Sequence, residues 1–462
     1  MKEFKEVSDK VPVHPDYQIY VDEWELMRDS IRGNTKIKSK TEKYLPAPNN
    51  INATGAVQNI RNSSSRITTA YQRFQMLTDF PELTSQALKG MIGLAFSEDS
   101  VIELSNSTAD LEFDATGKGD NFNSLYNDIL SEVMTMGRVG VLVSVDTELN
   151  PFFQLYSTEN ILNWSIGDHN NLHSVLLRDF SERFNQETFT YEQTPEYIGL
   201  NLNEEGLYTQ TRFDKDFNPI ESQVVSWGFD LGHIPFYILT PYKVNSELRD
   251  SILSPIAHKC LQIYRNTAIL NKSLATKGDP TFYMLGINVD EVEHLDMGAN
   301  NFIALRNPSA KVGYAEIDGA GSQSLRDQIL DDIRVAQAYA GKLFDGGGAG
   351  ESGESLKQRR LMAEISLTSV IDSLSIQLTH ILQETAFTLK DVNYLDNRFQ
   401  GFKNFTSKIE SIDDLLKASG LIPQGVISKE SIHELAAKSG LTELNYEEEQ
   451  ERISNESGGV GL

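Results

Sequence analysis

The stretch FDGGGAGESGESLKQRR, Phe344 to Arg360, sets five glycines (Gly346, Gly347, Gly348, Gly350 and Gly353) ahead of a segment of helical character. The chain before it is also helical: Leu325, Ile329, Ile333, Ala336 and Ala340 recur on one face of Ser322–Leu343. The chain after it, Ser355–Leu389, carries the stripe Leu361, Ile365, Val370, Leu374, Leu378 and Ile381 with no proline. At 1.5 Å per residue that predicts a helix ~50 Å long. A glycine loop opening onto a helix can also cradle phosphate. This one lacks the Gly-Lys-Ser/Thr that such a loop needs, because Gly353 is followed by Glu354 and Ser355. Asp345, Glu351 and Glu354 would repel a phosphate, and the loop follows a helix rather than a strand. The pattern argues for a hinge between two helices and against a nucleotide site.

Upstream, Ser254 and Pro255 open another helix, with Ser254 placed to cap it, expected to run to Lys277 and to stop at Gly278-Asp279-Pro280. A compact insert follows, with strand-like TFYMLGI and NFIALR. Farther upstream the period changes to two. RVGVLVSVD (Arg138–Asp146) reads as a strand, and FFQLYS, LHSVLLRDF, ETFTYEQ, EYIGLNL, LYTQTRF and SQVVSWGF read as separate strands in a region from 138 to 240. Before that, Tyr20, Trp24, Met27 and Ile31 mark a helix stopped by Gly33. Ala70–Phe96 is helical with a break at Pro81. Residues 120–136 place Phe122, Leu125, Ile129 and Val133 on one stripe ended by Gly137. Residues 46–66, rich in Asn, Ser and Pro, read as extended. Near the C-terminus IESIDDLLKASGL and SKESIHELAAKSGL read as short helices, and YEEEQERISNESGGVGL is expected to fray. The sum is an α+β chain.

The chain has 462 residues, a formal net charge of −25 and one cysteine, Cys260, so no disulfide can form within it. Its N-terminus has no apolar signal core, and ALKGMIGLAF (Ala87–Phe96), read as its most apolar helical stretch, is too short for a bilayer; no membrane association is expected. The acidity argues against coating nucleic acid, while weak, salt-sensitive sliding contact stays open. No catalytic, metal or cofactor constellation emerges. Asp214, Asp216 and Asn218 begin like a calcium loop, but Pro219 and Val225 stand where glycine and glutamate are required. His169 and His173 fall in a turn, and Glu291, Glu293 and His294 read as a solvated charge cluster.

Several short motifs carry a resemblance. They are HPDY (His14–Tyr17), YLP (Tyr44–Pro46), GRVGVLVSVD (Gly137–Asp146), ILNWSIGD (Ile161–Asp168), SPIAHKCLQIYRN (Ser254–Asn266), GDPTFYMLG (Gly278–Gly286), ESGESLKQRR and GVISKES (Gly425–Ser431). With the order helix, insert, helix, glycine loop, long helix, they resemble the portal proteins of tailed bacteriophages, the head-to-tail connectors of the portal vertex. The resemblance spans nearly the whole chain and is weakest over 170–240 and 290–320.

It implies a mixed α/β wing over 1–253, stem helices over 254–277 and 322–343 and a small α/β clip over 278–321. It further implies a tunnel loop over 344–354, a long wing helix over 355–389 and a helical crown with the C-terminal tail over 390–462. The implied function is that of a non-enzymatic conduit in the virion, assembled in the host cytoplasm. It would be a homo-oligomeric ring, a dodecamer in the family, at one capsid vertex. Double-stranded DNA is packaged through the ring by the terminase large subunit and later ejected. The major capsid protein, head-completion or adaptor proteins and tail proteins dock on it.

Carried onto this chain, the tunnel loop Asp345, Gly346, Gly347, Gly348, Ala349, Gly350, Glu351, Ser352 and Gly353 would touch passing DNA. Glycines let such a loop shift without a large barrier, and its acids disfavour tight binding. Lys357, Arg359 and Arg360 sit at a helix start, against the dipole preference, and with Lys342 would face DNA phosphates or pair with acids of a neighbouring subunit. Ala336, Ala338 and Ala340 permit close helix approach, or simply favour helix. The competing readings are another capsid-associated adaptor or minor head protein, and a monomeric enzyme with its site in 138–240.

Overall fold

The computed structural model describes residues 7–47, 68–167, 171–278, 281–286, 311–315, 320–339, 353–403, 428–438 and 444–457, apart from Glu187 and Ser246, with a few isolated positions besides. By contacts it divides into two units, Met1–Gly401 and Phe402–Leu462.

The first unit opens with helix α1 (Pro15–Arg32). His14 starts it by accepting the Asp16 amide at 3.2 Å, and Gly33 ends it at φ 82°. Short α2 (Asn34–Ser39), then α3 (Thr68–Met76) and α4 (Leu83–Ala95), lead to strand β1 (Val101–Glu103) and helix α5 (Phe122–Met136). Asn121 caps α5 through the Ser124 amide at 2.9 Å, and Gly137 closes it in the left-handed region. Strands follow: β2 (Val139–Val145), β3 (Pro151–Tyr156), β4 (Ile161–Ile166), β5 (Leu172–Asn185), β6 (Thr190–Leu202), β7 (Tyr208–Phe213), β8 (Pro219–Val224) and β9 (Phe236–Leu239). Helix α6 (Ser254–Gly278), strands β10 (Thr281–Leu285) and β11 (Lys311–Ala315), helix α7 (Ala320–Tyr339), helix α8 (Gly353–Thr388) and strand β12 (Arg398–Gln400) complete the unit. The second unit contains α9 (Lys429–Lys438) and α10 (Tyr446–Ser457).

Among the described residues all strand pairs are antiparallel. The strand-rich region forms two sheets: β3-β2-β9, buried among helices, and a meander β4-β5-β6-β7-β8. Segregated helices and antiparallel sheets make this an α+β fold. The core joins α1, α4, α5, α6 and α8 to the three-stranded sheet through Met27, Met91, Ile129, Val141, Tyr264, Leu374 and Leu378, all buried. Phe122 meets Phe153 at 6.2 Å and Phe399 at 5.1 Å, tying α5 to β3 and β12.

The structure corrects the sequence reading in several places. ETFTYEQ and EYIGLNL are one strand, β6, which runs through Pro195. The proline is tolerated because β7 joins β6 only from Tyr197 onward, so at Pro195 that side of β6 is an open edge needing no amide donor. The strand assigned to SQVVSWGF lies earlier, at Pro219–Val224, paired to β7. ILNWSIGD supplies a strand of its own. The segment expected to fray is helical as α10: Asn445 accepts the Glu448 amide at 2.9 Å, and Glu447, Glu448 and Glu449 suit the positive end of the helix dipole. Gly353, assigned to the loop, is the first residue of α8. Within α8, Ile365–Thr388 is long and apolar enough to cross a bilayer by length and composition, yet half of its most apolar window is buried against the protein. Residues 48–67, most of the segment read as extended, lie outside the described residues.

Candidate functional site

Helices α6 and α7 form an antiparallel pair. Lys259 Nζ meets the buried Asp332 carboxylate at 2.9 Å near one end, and the Ser273 and Ser322 hydroxyls meet at 3.2 Å near the other. Ala268, between those points, and Ala336, one turn beyond Asp332, are fully buried, so the alanine at 336 serves close packing here. Beyond the serine end, β10 and β11 pair from Thr281↔Ala315 to Leu285↔Lys311. Gly313 faces Tyr283 so closely that a Cβ would sit 2.9 Å from the phenol oxygen. The result is a helical pair continued by a ribbon, with α8 after it.

The base of α6 is held by the N-terminal helices. Glu23 accepts from the Ser254 hydroxyl and lies 2.8 Å from His258 Nε2. Ser254 therefore spends its hydroxyl on Glu23 rather than on capping, which corrects the expected role. Arg265 donates to the Tyr44 carbonyl at 2.8 Å, and Asn271 donates to that of Leu77 at 2.6 Å. The outer faces of the pair leave Ile269 and Leu274 on α6, and Leu330, Val335 and Tyr339 on α7, exposed beside an Asp331–Arg334 ion pair at 3.0 Å.

Of the residues assigned to the DNA channel, Lys342, Asp345, Gly346, Gly347, Gly348, Ala349, Gly350, Glu351 and Ser352 lie outside the described residues, as does Ala340. Lys357, Arg359 and Arg360 fall in the first turns of α8. Glu291, Glu293, His294 and His169 are also outside the described residues. Asp214 accepts the amides of Asp216 at 2.9 Å and Asn218 at 2.8 Å, which makes its segment the turn between β7 and β8. Among the described residues no group of three or more His, Cys, Asp and Glu is arranged to hold a metal ion.

A cleft of about 280 Å³ between the two sheets is lined by Gln154, Tyr156, Asp179, Tyr208, Gln210 and Arg212. Burial pushes the Tyr156 and Tyr208 hydroxyls well up, away from the range useful for acid–base chemistry near neutral pH.

Two of the short motifs meet in space. His14 of HPDY stacks on Trp164 of ILNW at 4.0 Å between ring centroids. The Arg138 guanidinium lies 4.2 Å from the Trp164 ring centre and 5.1 Å from that of Trp24. Burial opposes the charge of Arg138, and the two indole faces offset part of that cost. Beside this stack Arg28 forks between Glu132 and Glu159, both near it on other elements, and their carboxylates hold its charge although it is almost fully buried. Aromatic and basic residues in short motifs were the only signal; Arg138 and Trp164 are near in sequence, but His14 and Trp164, Arg138 and Trp24, and Arg28 and its two glutamates are each over a hundred residues apart.

A family model described as "Domain of unknown function (DUF4055)" matches residues 253–387, the span from α6 through nearly all of α8. No curated protein matches. Many solved chains align, among them the following two. One is titled "Virion of native gene transfer agent (GTA) particle", at 10% identity and TM-score 0.39, covering 84% of this chain and 98% of that one. The other is "Neck of empty GTA particle computed with C6 symmetry", at 10% identity and TM-score 0.38, covering 77% and 88%. At these scores the likeness establishes neither fold nor function for this chain.

Proposed function

We propose that this chain is a portal subunit: one copy of a ring at a capsid vertex that conducts double-stranded DNA. In this reading the terminase large subunit packages the DNA through the ring, and it later leaves by the same channel. The major capsid protein, adaptor or head-completion proteins and tail proteins dock on the outside. The protein resides in the virion and its task is structural rather than enzymatic.

The observation that supports this best is the packed pair α6–α7 continued by the β10–β11 ribbon and followed by the 36-residue α8. This is the stem, clip and long-helix order implied by the motifs. The pair leaves apolar side chains exposed on both helices, as expected where a neighbouring subunit covers them. Lys357, Arg359 and Arg360 at the start of α8 would meet phosphates, and the glycine loop would follow DNA without gripping it. Contact of this kind is weak and falls steeply with salt.

Deleting Gly346–Gly350 tests the assigned division of labour. The expected result is normal ring assembly with impaired DNA packaging or retention. Loss of assembly would make the loop a packing element and remove it from the DNA path.

A further inference from the structure

Strands β5 and β6 outrun their sheet. Strand β4 pairs with β5 only as far as Leu177, and β7 reaches β6 only at Tyr197, but β5 and β6 stay paired out to Asn185↔Thr190. Residues beyond Arg178 and Tyr197 therefore form a two-stranded ribbon projecting ~20 Å. Its tip is aromatic: Phe184 packs against Phe189 at 6.0 Å and Tyr191 at 4.8 Å, and Phe189 and Tyr191 are 79% and 76% exposed. The three rings leave roughly 400 Å² in water.

The chain also carries a hole. A groove of about 620 Å³ at the C-terminal end of α8 is lined by Phe229, Leu231, Phe387, Val392 and Tyr394, with Lys390 among its polar residues. It continues onto an outer face of α8 that exposes Ile376 and Phe387, and Val392 beside it is 94% exposed. The charged lining of the groove is Asp230, Glu384 and Asp391 against Lys390. No Lys, Arg, Asp or Glu other than Asp372 and Glu384 occurs from Ile365 to Leu389. Glu384 is engaged by the Tyr237 hydroxyl, and Asp391 by the amides of Ser107 at 3.1 Å and Asn393 at 2.9 Å.

We infer that the aromatic tip of one copy seats in this groove of a second copy. The tip cannot reach the groove of its own chain. The Leu231 carbonyl accepts the Tyr208 amide at 2.8 Å, so the groove wall hangs at the β6–β7 end of the sheet. The tip lies at the far end of β6, ~40 Å away along a 13-residue strand. A knob and a hole at opposite ends of one rigid sheet make a head-to-tail contact, the kind that closes into rings. The tip's ~400 Å² plus a matching groove surface gives ~800 Å², short of the ~1,000 Å² of a free-standing specific contact, so this seam acts together with the other contacts of a ring. The inference rests on the ring reading above and names one of its seams.

Paired cysteines test it. Chains carrying Phe189→Cys and chains carrying Val392→Cys are co-expressed, purified and oxidised; Cys260 is buried and gives no background. The expected product is a cross-linked pair formed only in the mixture, and a ladder of multimers from the double variant. Rings seen by negative stain without that cross-link would overturn the seam and leave the portal reading standing. So would tip-to-tip cross-linking by Phe189→Cys alone. A protein that never assembles would overturn both. Independently, Phe189→Ser with Tyr191→Ser should raise the concentration at which the assembly dissociates at least tenfold, and unchanged assembly contradicts the seam.

Discussion

Arg28 is a buried charge held by two carboxylates. Its guanidinium forks between Glu132 and Glu159, and replacing it by alanine strands two carboxylates away from water. Arg28→Ala should lower stability by ~3–5 kcal/mol in urea unfolding, and adding Glu132→Gln and Glu159→Gln should restore much of the loss. Asp391 makes a second, pH-dependent prediction. The Asn393 amide, then Ser107, holds its carboxyl at about 2, below the ordinary ~3.9 of an unfolded aspartate. Its contribution is therefore present above pH ~4 and is lost as pH falls toward 2. Asp391→Asn should flatten that part of an acid-unfolding curve followed by circular dichroism. Single residues were the least legible scale in the sequence. Nothing in HPDY or GRVGVLVSVD says that His14 and Arg138 lie on opposite sides of one indole, because the stack exists only once α1, β2 and β4 have packed.

Elements were more legible, because period and caps are local. The stripe on α5, the stop at Gly137 and the alternation of β2 were all readable, and they fixed where helix gives way to sheet. Gly137 illustrates why: at φ 83° a Cβ would lie 2.7 Å from the Arg249 carbonyl oxygen. Gly137→Ala should destabilise by ~1–3 kcal/mol. Gly93→Ala, inside α4 with nothing within 4 Å, should stabilise by ~0.5–1 kcal/mol. Thermal melts of the two variants should move in opposite directions. Elements whose limits depend on neighbours were misread. Pro195 breaks a strand by local rules and is accommodated by an edge that only the sheet creates. The acidic C-terminal segment looked like a tail until its Asn445 cap was seen. The division of the strand-rich region into two sheets depends on long-range pairing of β2 with β9, which no local pattern announces.

At the scale of the whole molecule, an acidic chain that exposes apolar side chains on α6, α7, α8 and a ribbon tip is poorly suited to staying alone. The sequence carried the order of helix, insert, helix, loop and long helix, and the structure places the described parts of that order in a packed pair and a ribbon. The glycine stretch lies outside the described residues except for Gly353, which belongs to the helix that follows it. The central claim is that copies of this chain close into a ring around DNA. Negative-stain imaging of the purified full-length protein, with mass photometry, tests it most directly. The account predicts rings of about a dozen subunits with an open centre. A population that remains a lone 51.8 kDa particle at every concentration would contradict it.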